Sequence, residues 1–462
     1  MTTSASNNSP GAARAPGPSL QDLLARDASS VPEPLRTESV RFLGDEDIPY
    51  TNYTSREQAD AEFARLWPRV WQWACREEHI PEAGDYYVYD VGHLSALVVR
   101  TESGAIKAFY NSCMHRGTQL KQPGSCGFSE NLRCPFHGWT YSLDGELIDL
   151  PENWDFPHVK PDTHRLRELK VGTWAGFVFV NFDPNAGPLD DYLGVLPDHF
   201  RTWGLEDRFI ESHVSKRLPA NWKACAEAFM EAYHVRETHA GGLPGTEVTT
   251  QYDVFGDNVT RFIHTVGSPN PRVDPPRSEQ ELLAGMWGQH ARAEAGVPKL
   301  PEGMTARDFY AAVVKQRMGE TYGRDFSAYS TSLTLDSIEY TLFPNAFFFP
   351  GLSLGMVYRF RPDPKDPDFC TFDLLMLRPK APGRPASPPP EPLVLGVDDS
   401  YTRAAILGPL GAIYDQDTGN LAAQTRGFKA SHKRGQTLGN YQEVRIRHQQ
   451  QMVDRYLGRA AK

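Results

Sequence analysis

Two short motifs, each holding one cysteine and one histidine, constrain this sequence more than any other feature. Cys113 and His115 form a C-x-H motif, and after 18 intervening residues Cys134 and His137 form a C-x-x-H motif. Short β-type patterns and turn residues surround both motifs. Each motif should therefore place one thiolate and one imidazole on a loop between strands.

Two thiolates and two imidazoles fit two kinds of metal centre. One is a structural tetrahedral zinc ion, and the other is a [2Fe–2S] cluster in which two cysteines hold one iron and two histidines hold the other. Because each motif is mixed, each loop can reach both irons, which favours the cluster. Glycines near the motifs (Gly117, Gly124, Gly127 and Gly138) bring backbone N–H groups close to sulfur. Zinc stays the alternative.

The remaining composition indicates a cytoplasmic chain. Six cysteines in 462 residues are too few for a disulfide scaffold, and we expect Cys126 to be an ordinary buried thiol. The sequence has no secretory pattern at its start and no apolar run long enough to span a bilayer. A formal net charge of −10 without a basic run argues against nucleic-acid and membrane partners.

Changes in hydrophobic period divide the chain into four parts. We expect residues 1–44 to be a disordered or extended tail and residues 45–75 to be a helical segment packed on the C-terminal part of the chain. Residues 76–185 read as a small all-β unit. Residues 186–462 mix helices and strands, so the fold class is α+β.

A second dense signal lies between Trp222 and His239, where a helical pattern carries two histidines. Glu227, Glu231 and His234 share one helical face, whereas His239 would point away from it in a regular helix. For both imidazoles to bind one metal ion, the helix must loosen or end between them, so we predict a π-bulge or a helix end there. The alternative is an amphipathic helix with a solvated acidic face.

Two histidines and one carboxylate form the facial triad that holds iron in non-haem Fe(II) oxygenases. The carboxylate must come from another part of the chain. Asp415 and Asp417, in the segment 414–421, are the two candidates.

Together the motifs resemble the large (α) subunit of a Rieske non-haem iron aromatic-ring-hydroxylating oxygenase. The segments 113–117 and 134–141 resemble its two cluster loops, and the resemblance extends over residues 45–457, including 342–345. It implies an all-β Rieske [2Fe–2S] domain, 76–185, beside a helix-grip (Bet v 1-like, START-like) catalytic domain with an antiparallel sheet, 186–462.

The resemblance also implies which residues hold the cofactors. It assigns the [2Fe–2S] cluster to Cys113, His115, Cys134 and His137. It assigns mononuclear Fe(II) to His234, His239 and Asp417, where alignment on Asn420-Leu421 selects Asp417 and leaves Asp415 as the fallback. Glu231 stands where the family has an acidic residue that links a cluster histidine to an iron histidine of the next subunit.

The same resemblance implies the partners. The α subunits form a head-to-tail homotrimer, with a small β subunit in some members, and electrons pass from the cluster of one copy through Glu231 to His234 of its neighbour. Since no G-x-G-x-x-G pattern follows a strand, we expect the electrons to come from a separate ferredoxin or flavin reductase.

The substrate is less constrained than the reaction. Ring hydroxylators usually have Asp where this chain has Glu231, and Glu occurs in oxygenases of quaternary ammonium compounds such as carnitine. Apolar residues offer a lining for a hydrophobic, aromatic or polycyclic substrate, and the segment 278–328 is a candidate lid (lining candidates: Phe343, Phe347, Phe348, Phe349 and Leu352). The alternatives are a quaternary ammonium monooxygenase and a Rieske electron-transfer protein without oxygenase activity.

Overall fold

The computed structural model describes residues 9–27, 29–239, 246–269, 275–290, 296–383 and 388–459. Its helices are α1 (Leu20–Leu24), α2 (Glu33–Arg36), α3 (Thr51–Thr54), α4 (Arg56–Arg65), α5 (Leu189–Leu193), α6 (Leu196–His199), α7 (Trp222–Glu227), α8 (Val235–Thr238), α9 (Glu279–His290), α10 (Ala306–Tyr322), α11 (Thr331–Leu335), α12 (Leu410–Gly419), α13 (Leu421–Ala430) and α14 (Val444–Tyr456).

The strands are β1 (Ile48–Pro49), β2 (Gln72–Arg76), β3 (Asp85–Val91), β4 (Leu94–Arg100), β5 (Ile106–Tyr110), β6 (Cys126–Phe128), β7 (Leu132–Arg133), β8 (Thr140–Tyr141), β9 (Leu147–Asp149), β10 (Lys170–Trp174), β11 (Phe177–Asn181), β12 (Arg208–Leu218), β13 (Thr246–Phe255), β14 (Val259–Val266), β15 (Ser337–Leu342), β16 (Ala346–Phe349), β17 (Met356–Pro362), β18 (Cys370–Pro379), β19 (Leu393–Leu395) and β20 (Gly435–Gln436).

The β unit that carries the two Cys/His motifs is built from small antiparallel sheets. β5, β4, β3 and β6 form one sheet in that order, and β7, β8 and β9 form another. Both motif cysteines belong to the same apolar core as the inward-facing residues of these sheets. Cys126 lies on the edge strand β6 and is exposed, so the expectation of a buried thiol is wrong.

The second unit is organised around an eight-stranded sheet with the order β13-β14-β15-β16-β17-β18-β12-β19. Every pairing is antiparallel except that between β12 and β19, which confirms the antiparallel sheet expected for this part of the chain. Helix α14 lies against the sheet through Arg445, whose guanidinium donates to Thr260 on β14 and to Glu339 and Thr341 on β15. Within the described segments, no helix is both long and apolar enough to cross a membrane.

The N-terminal tail is more ordered than the sequence predicted. From residue 9 onward it contains α1 and α2, and Ser19 caps α1 through a capping box with Asp22. Leu20 and Leu35 are buried in the core that also holds residues of β11 and β14. Residues 9–27 and 29–36 are therefore more ordered than the tail that the sequence predicts, because their apolar side chains are removed from water, and residues 1–8 of the predicted tail lie outside the described residues.

Helix α4 joins the 45–75 segment to the catalytic unit through a buried ion pair. Lys223 and Glu62 are 0% and 2% exposed, and the Lys223 ammonium contacts a carboxylate oxygen of Glu62 at 2.5 Å. The indole N–H of Trp222 donates to the other carboxylate oxygen at 2.8 Å. The same helix also carries an exposed pair between Arg56 and Asp60.

These two pairs predict unequal effects on stability. Glu62→Ala leaves the Lys223 charge buried without its partner and should lower the free energy of unfolding by about 3–5 kcal/mol. Asp60→Ala removes the exposed pair and should cost less than about 1 kcal/mol. Urea unfolding followed by tryptophan fluorescence measures both, and equal losses would contradict the role given to Glu62.

Candidate functional site

The two histidines of the second motif flank a break in the helix. α7 ends at Glu227, and α8 begins only after His234 and ends at Thr238. The predicted helix end before His239 is present, but the helical pattern does not run unbroken up to His234. Side chains replace helical hydrogen bonds here, because the Tyr252 hydroxyl accepts from the Ala232 N–H and the Glu231 carboxylate accepts from the His234 N–H.

The break turns both imidazoles toward Asp417 on α12. The Nε2 atoms of His234 and His239 lie 3.4 and 2.9 Å from the Oδ1 atom of Asp417. One potential ligand atom from each residue falls within 4.8 Å of the other two, which is compact enough for one metal ion. Asp415, the fallback, is directed elsewhere and accepts from the Ser400 hydroxyl and the Tyr401 N–H.

Each imidazole is fixed by a hydrogen bond at its other nitrogen. The Nδ1 of His234 pairs with a Glu231 carboxylate oxygen at 2.8 Å, and the Nδ1 of His239 pairs with the Gln416 side-chain oxygen at 2.8 Å. In both rings the oxygen accepts the Nδ1 proton, so Nε2 keeps its lone pair for a metal. Sequence reasoning missed Gln416, and the one signal for it was its position next to Asp417.

The electrostatics of the triad fit a cation. Burial acts to lower the pKa of His234, but the nearby Asp417 and Glu231 carboxylates outweigh burial and raise that pKa to about 10. Burial acts to raise the pKa of Asp417, whereas the two imidazoles lower it. Asp417 Oδ1 is buried and has no well-aligned hydrogen-bond donor among the described residues. A divalent cation would complete this donor set and displace the imidazole protons.

An apolar cavity of about 220 Å³ opens onto the triad. It adjoins a wider cavity of about 620 Å³ that shares His239, Leu354 and Ile413 with it. Helix α10, from the predicted lid segment, contributes to both walls through Tyr310 and Val314. Of the five apolar residues predicted to line the pocket, Phe349 lines it, and the other four pack in the hydrophobic cores.

The two Cys/His loops share one backbone geometry. The Gly117 N–H donates to the Cys113 carbonyl at 2.9 Å, and the Gly138 N–H donates to the Cys134 carbonyl at 3.1 Å. Both glycines have φ of 76°, a left-handed conformation that favours glycine. In both loops, a glycine four residues after the cysteine therefore closes the same type of turn.

The side chains of these loops form a paired donor set. Cys113 and Cys134 are each 3% exposed, and the rings of His115 and His137 are 4.7 Å apart. The Nδ1 atom of His115 is buried without a hydrogen-bond partner in the described part of the chain. Two buried thiols and two adjacent imidazoles, one with an unsatisfied nitrogen, fit a cluster that has two sulfur-bound and two nitrogen-bound positions.

Tyr141 supports the first cysteine from β8. Its hydroxyl lies 3.4 Å from Cys113 Sγ and accepts the Met114 N–H at 3.1 Å. A cluster-bound cysteine is a thiolate without a proton, so with the cluster in place the Tyr141 hydroxyl is the donor and the sulfur accepts. Burial raises the pKa of the Cys113 thiol, and the Tyr141 hydrogen bond opposes that shift.

Comparison with family models agrees with one unit that carries the Cys/His loops and a second unit that carries the triad. Residues 70–160 match the model of the Rieske [2Fe–2S] domain, and residues 199–459 match the model described as the ring hydroxylating alpha subunit (catalytic domain). The second match covers more than half of the chain. The chain therefore belongs to the family of ring hydroxylating alpha subunits. It carries a Rieske [2Fe–2S] domain and a catalytic domain that binds mononuclear iron, which confirms the predicted cofactors.

Curated relatives include both dioxygenases and monooxygenases. Biphenyl 2,3-dioxygenase subunit alpha of Rhodococcus jostii (strain RHA1) is 27% identical over 333 residues, which are 65% of this chain and 63% of that protein. The carnitine monooxygenase oxygenase subunit of Escherichia coli (strain K12) is 29% identical over 215 residues, which are 46% of this chain and 57% of that protein. The match thus spans less than two thirds of either relative.

Solved structures share the fold over most of the chain. The apo form of the quaternary ammonium Rieske monooxygenase CntA superposes with a TM-score of 0.61 at 18% identity, covering 88% of this chain and 94% of that chain. Naphthalene 1,2-dioxygenase with indole bound in its active site gives 0.61 at 20% identity, covering 90% and 93%.

The position of Tyr141 predicts an effect on the cluster's reduction potential. Tyr141→Phe removes the hydroxyl proton that reaches Cys113 Sγ, so the reduced cluster loses stabilisation and its potential should fall. The expected fall is roughly 40 mV for each kcal/mol of hydrogen-bond energy lost. A redox titration followed by EPR measures the shift, and an unchanged potential would contradict this contact.

The two aspartates of α12 predict different iron contents. Asp417→Ala should reduce the iron count from three to two atoms per chain and leave the acid-labile sulfide unchanged, because Asp417 is the carboxylate that faces both imidazoles. Asp415→Ala is the matched control and should keep three. Iron and sulfide analysis of both purified variants checks this, and a reversed pattern would transfer the ligand role to Asp415.

Proposed function

We propose that this chain is the terminal oxygenase component of a multicomponent Rieske non-haem iron oxygenase. It hydroxylates a hydrophobic, aromatic or polycyclic substrate with O2 and with electrons from NAD(P)H that a separate ferredoxin or flavin reductase delivers. The observation that carries the proposal is the convergence of His234, His239 and Asp417 on the floor of an apolar cavity.

The residues have distinct tasks in this function. His234, His239 and Asp417 hold the mononuclear iron, which when bound supplies the chemistry that activates O2. Glu231 and Gln416 hold the imidazoles in the tautomer that leaves Nε2 unprotonated. The apolar walls exclude water and keep the substrate next to the triad.

Glu231 is also suited to a contact between copies of the chain. It lines a second crevice of about 390 Å³ together with His234 and Glu443, and the described lining of this crevice includes no residue of α10. Two apolar side chains are exposed, Tyr233 next to His234 in sequence and Phe136 within the second cluster loop. These features support a homotrimer in which a cluster histidine of one copy donates to Glu231 of the next.

A second function rests on Glu231 itself. A glutamate at this position fits monooxygenases of quaternary ammonium substrates, and carnitine monooxygenase and CntA are among the similar proteins. In that alternative the electron route and both metal centres are unchanged, and only the occupant of the cavity differs.

The six unpaired cysteines and the use of NAD(P)H-derived electrons agree with a cytoplasmic enzyme.

Metal analysis and O2 uptake test the proposal together. An oxygenase should contain three iron atoms and two acid-labile sulfides per chain and should consume O2 with a reductase and substrate present, giving a product heavier by one or two oxygen atoms. An electron-transfer protein would contain two irons and release no hydroxylated product. A colourless zinc protein would contain no labile sulfide, and either result would overturn the proposal.

The contact of Glu231 with His234 predicts a separation of metal binding from turnover. Glu231→Gln keeps an oxygen that can accept from His234 Nδ1 but removes the negative charge, so both metal centres should remain while turnover falls by about 10–100-fold. Steady-state O2 uptake with the native electron partners measures this, next to iron content and the EPR spectrum of the reduced cluster. Full activity in the variant would remove Glu231 from the route.

A further inference from the structure

One wall of the cavity next to the triad is formed by alternate residues of β14. Phe262, His264 and Val266 line the cavity, whereas Ile263 between them packs in the core on the other face of the sheet. This is the alternation that a strand imposes on its side chains. His264 therefore faces the cavity because of its place in the strand alternation, and not because of a local distortion of β14.

His264 is the centre of a polar row in the wall of a mainly apolar cavity. It pairs across the sheet with Thr250 on β13 and with Ser337 on β15, so all three lie side by side on one face. Its Nδ1 is hydrogen-bonded to the Thr250 hydroxyl at 2.7 Å. Its Nε2 is buried and has no partner within the described ranges. Burial lowers the pKa of His264 to about 4, so the ring is neutral near pH 7.

A buried nitrogen without a partner costs about 1–3 kcal/mol. A substrate that brings a hydroxyl or carbonyl oxygen to His264 recovers this energy, whereas a plain hydrocarbon leaves the nitrogen unsatisfied. A hydroxyl fits either tautomer of the ring because it both donates and accepts.

The charges around the cavity favour a neutral occupant. Three carboxylates line it in the described part of the chain, and each lies against a neighbouring basic side chain. Glu231 and Asp417 lie against the triad histidines, and Glu339 forms a buried ion pair with Arg445 at 2.5 Å. A quaternary ammonium group would lose its water on entering this cavity and has no N–H to donate to these carboxylates.

We propose that the substrate is a neutral, mainly apolar ring compound with an oxygen substituent, and that His264 Nε2 binds this oxygen and sets specificity. The inference rests on the proposed function and adds a substrate class to it. The oxygen anchors one end of the molecule on β14, so the ring lies between His264 and the iron ligands.

A binding experiment without turnover tests the inference. The holoprotein is titrated by calorimetry, without reductant and without O2, with 2-naphthol and with naphthalene, which share one ring skeleton. The wild-type chain should bind 2-naphthol roughly three- to tenfold more tightly than naphthalene, the value of one net hydrogen bond. His264→Leu should bring the two dissociation constants to within about twofold of each other.

Two further variants separate the hydrogen bond from packing. His264→Gln keeps polar atoms at this position and should restore part of the preference. Ile263→Val, the neighbour that faces the other side of the sheet, should keep the wild-type ratio. Equal dissociation constants in the wild-type chain, or an unchanged ratio in His264→Leu, would overturn the inference.

A charged probe and metal analysis complete the test. γ-Butyrobetaine should bind more weakly than 2-naphthol, and tighter binding of γ-butyrobetaine would overturn the neutral substrate class. A preparation with three irons and substrate-dependent O2 uptake but no preference for 2-naphthol overturns this inference alone. A preparation that lacks the mononuclear iron overturns the proposed function instead.

Discussion

The arrangement of the catalytic unit depends on one local constraint, which is that α7 stops before the first triad histidine. An unbroken helix would separate residues five positions apart by more than a full turn and send the imidazoles in different directions. Tyr252, reaching over from β13, accepts the Ala232 N–H, and Glu231 accepts the His234 N–H. These two hydrogen bonds satisfy backbone N–H groups that have no helical acceptor where the helix is broken. The ring centres of His234 and His239 lie 5.6 Å apart.

The triad divides the catalytic unit into two environments. Residues of α10 and β14 line the apolar cavity, and Glu231 and Glu443 line a second, more polar crevice. Glu231 belongs to both regions and contacts His234 directly. In the proposed function the substrate occupies the cavity and the electron donor approaches through the crevice. Both can therefore be next to the ion at the same time.

Much of this organisation could be predicted because its determinants are local in sequence. The spacing of Cys113 and His115 and the short apolar run of β4 predict loops and strands without knowledge of the rest of the chain. The position of the helix break could not be predicted, since Tyr252, which contributes to it, lies on a distant strand. The contact of Gln416 with His239 could not be predicted either, because it depends on where α12 packs. Leu20 and Leu35 looked like tail residues because the core that receives them is assembled from distant segments.

A mixed-trimer assay tests the central claim, that one copy's cluster serves the iron site of its neighbour. A chain with Cys113→Ser and Cys134→Ser lacks the cluster, and a chain with Asp417→Ala lacks the mononuclear iron, so each alone should be inactive. A contact works only where a chain with an intact cluster faces a chain with an intact iron site, which random co-assembly in equal amounts gives in one contact of four. We therefore expect about one quarter of wild-type activity. A mixture that forms trimers and stays as inactive as its parents would contradict it.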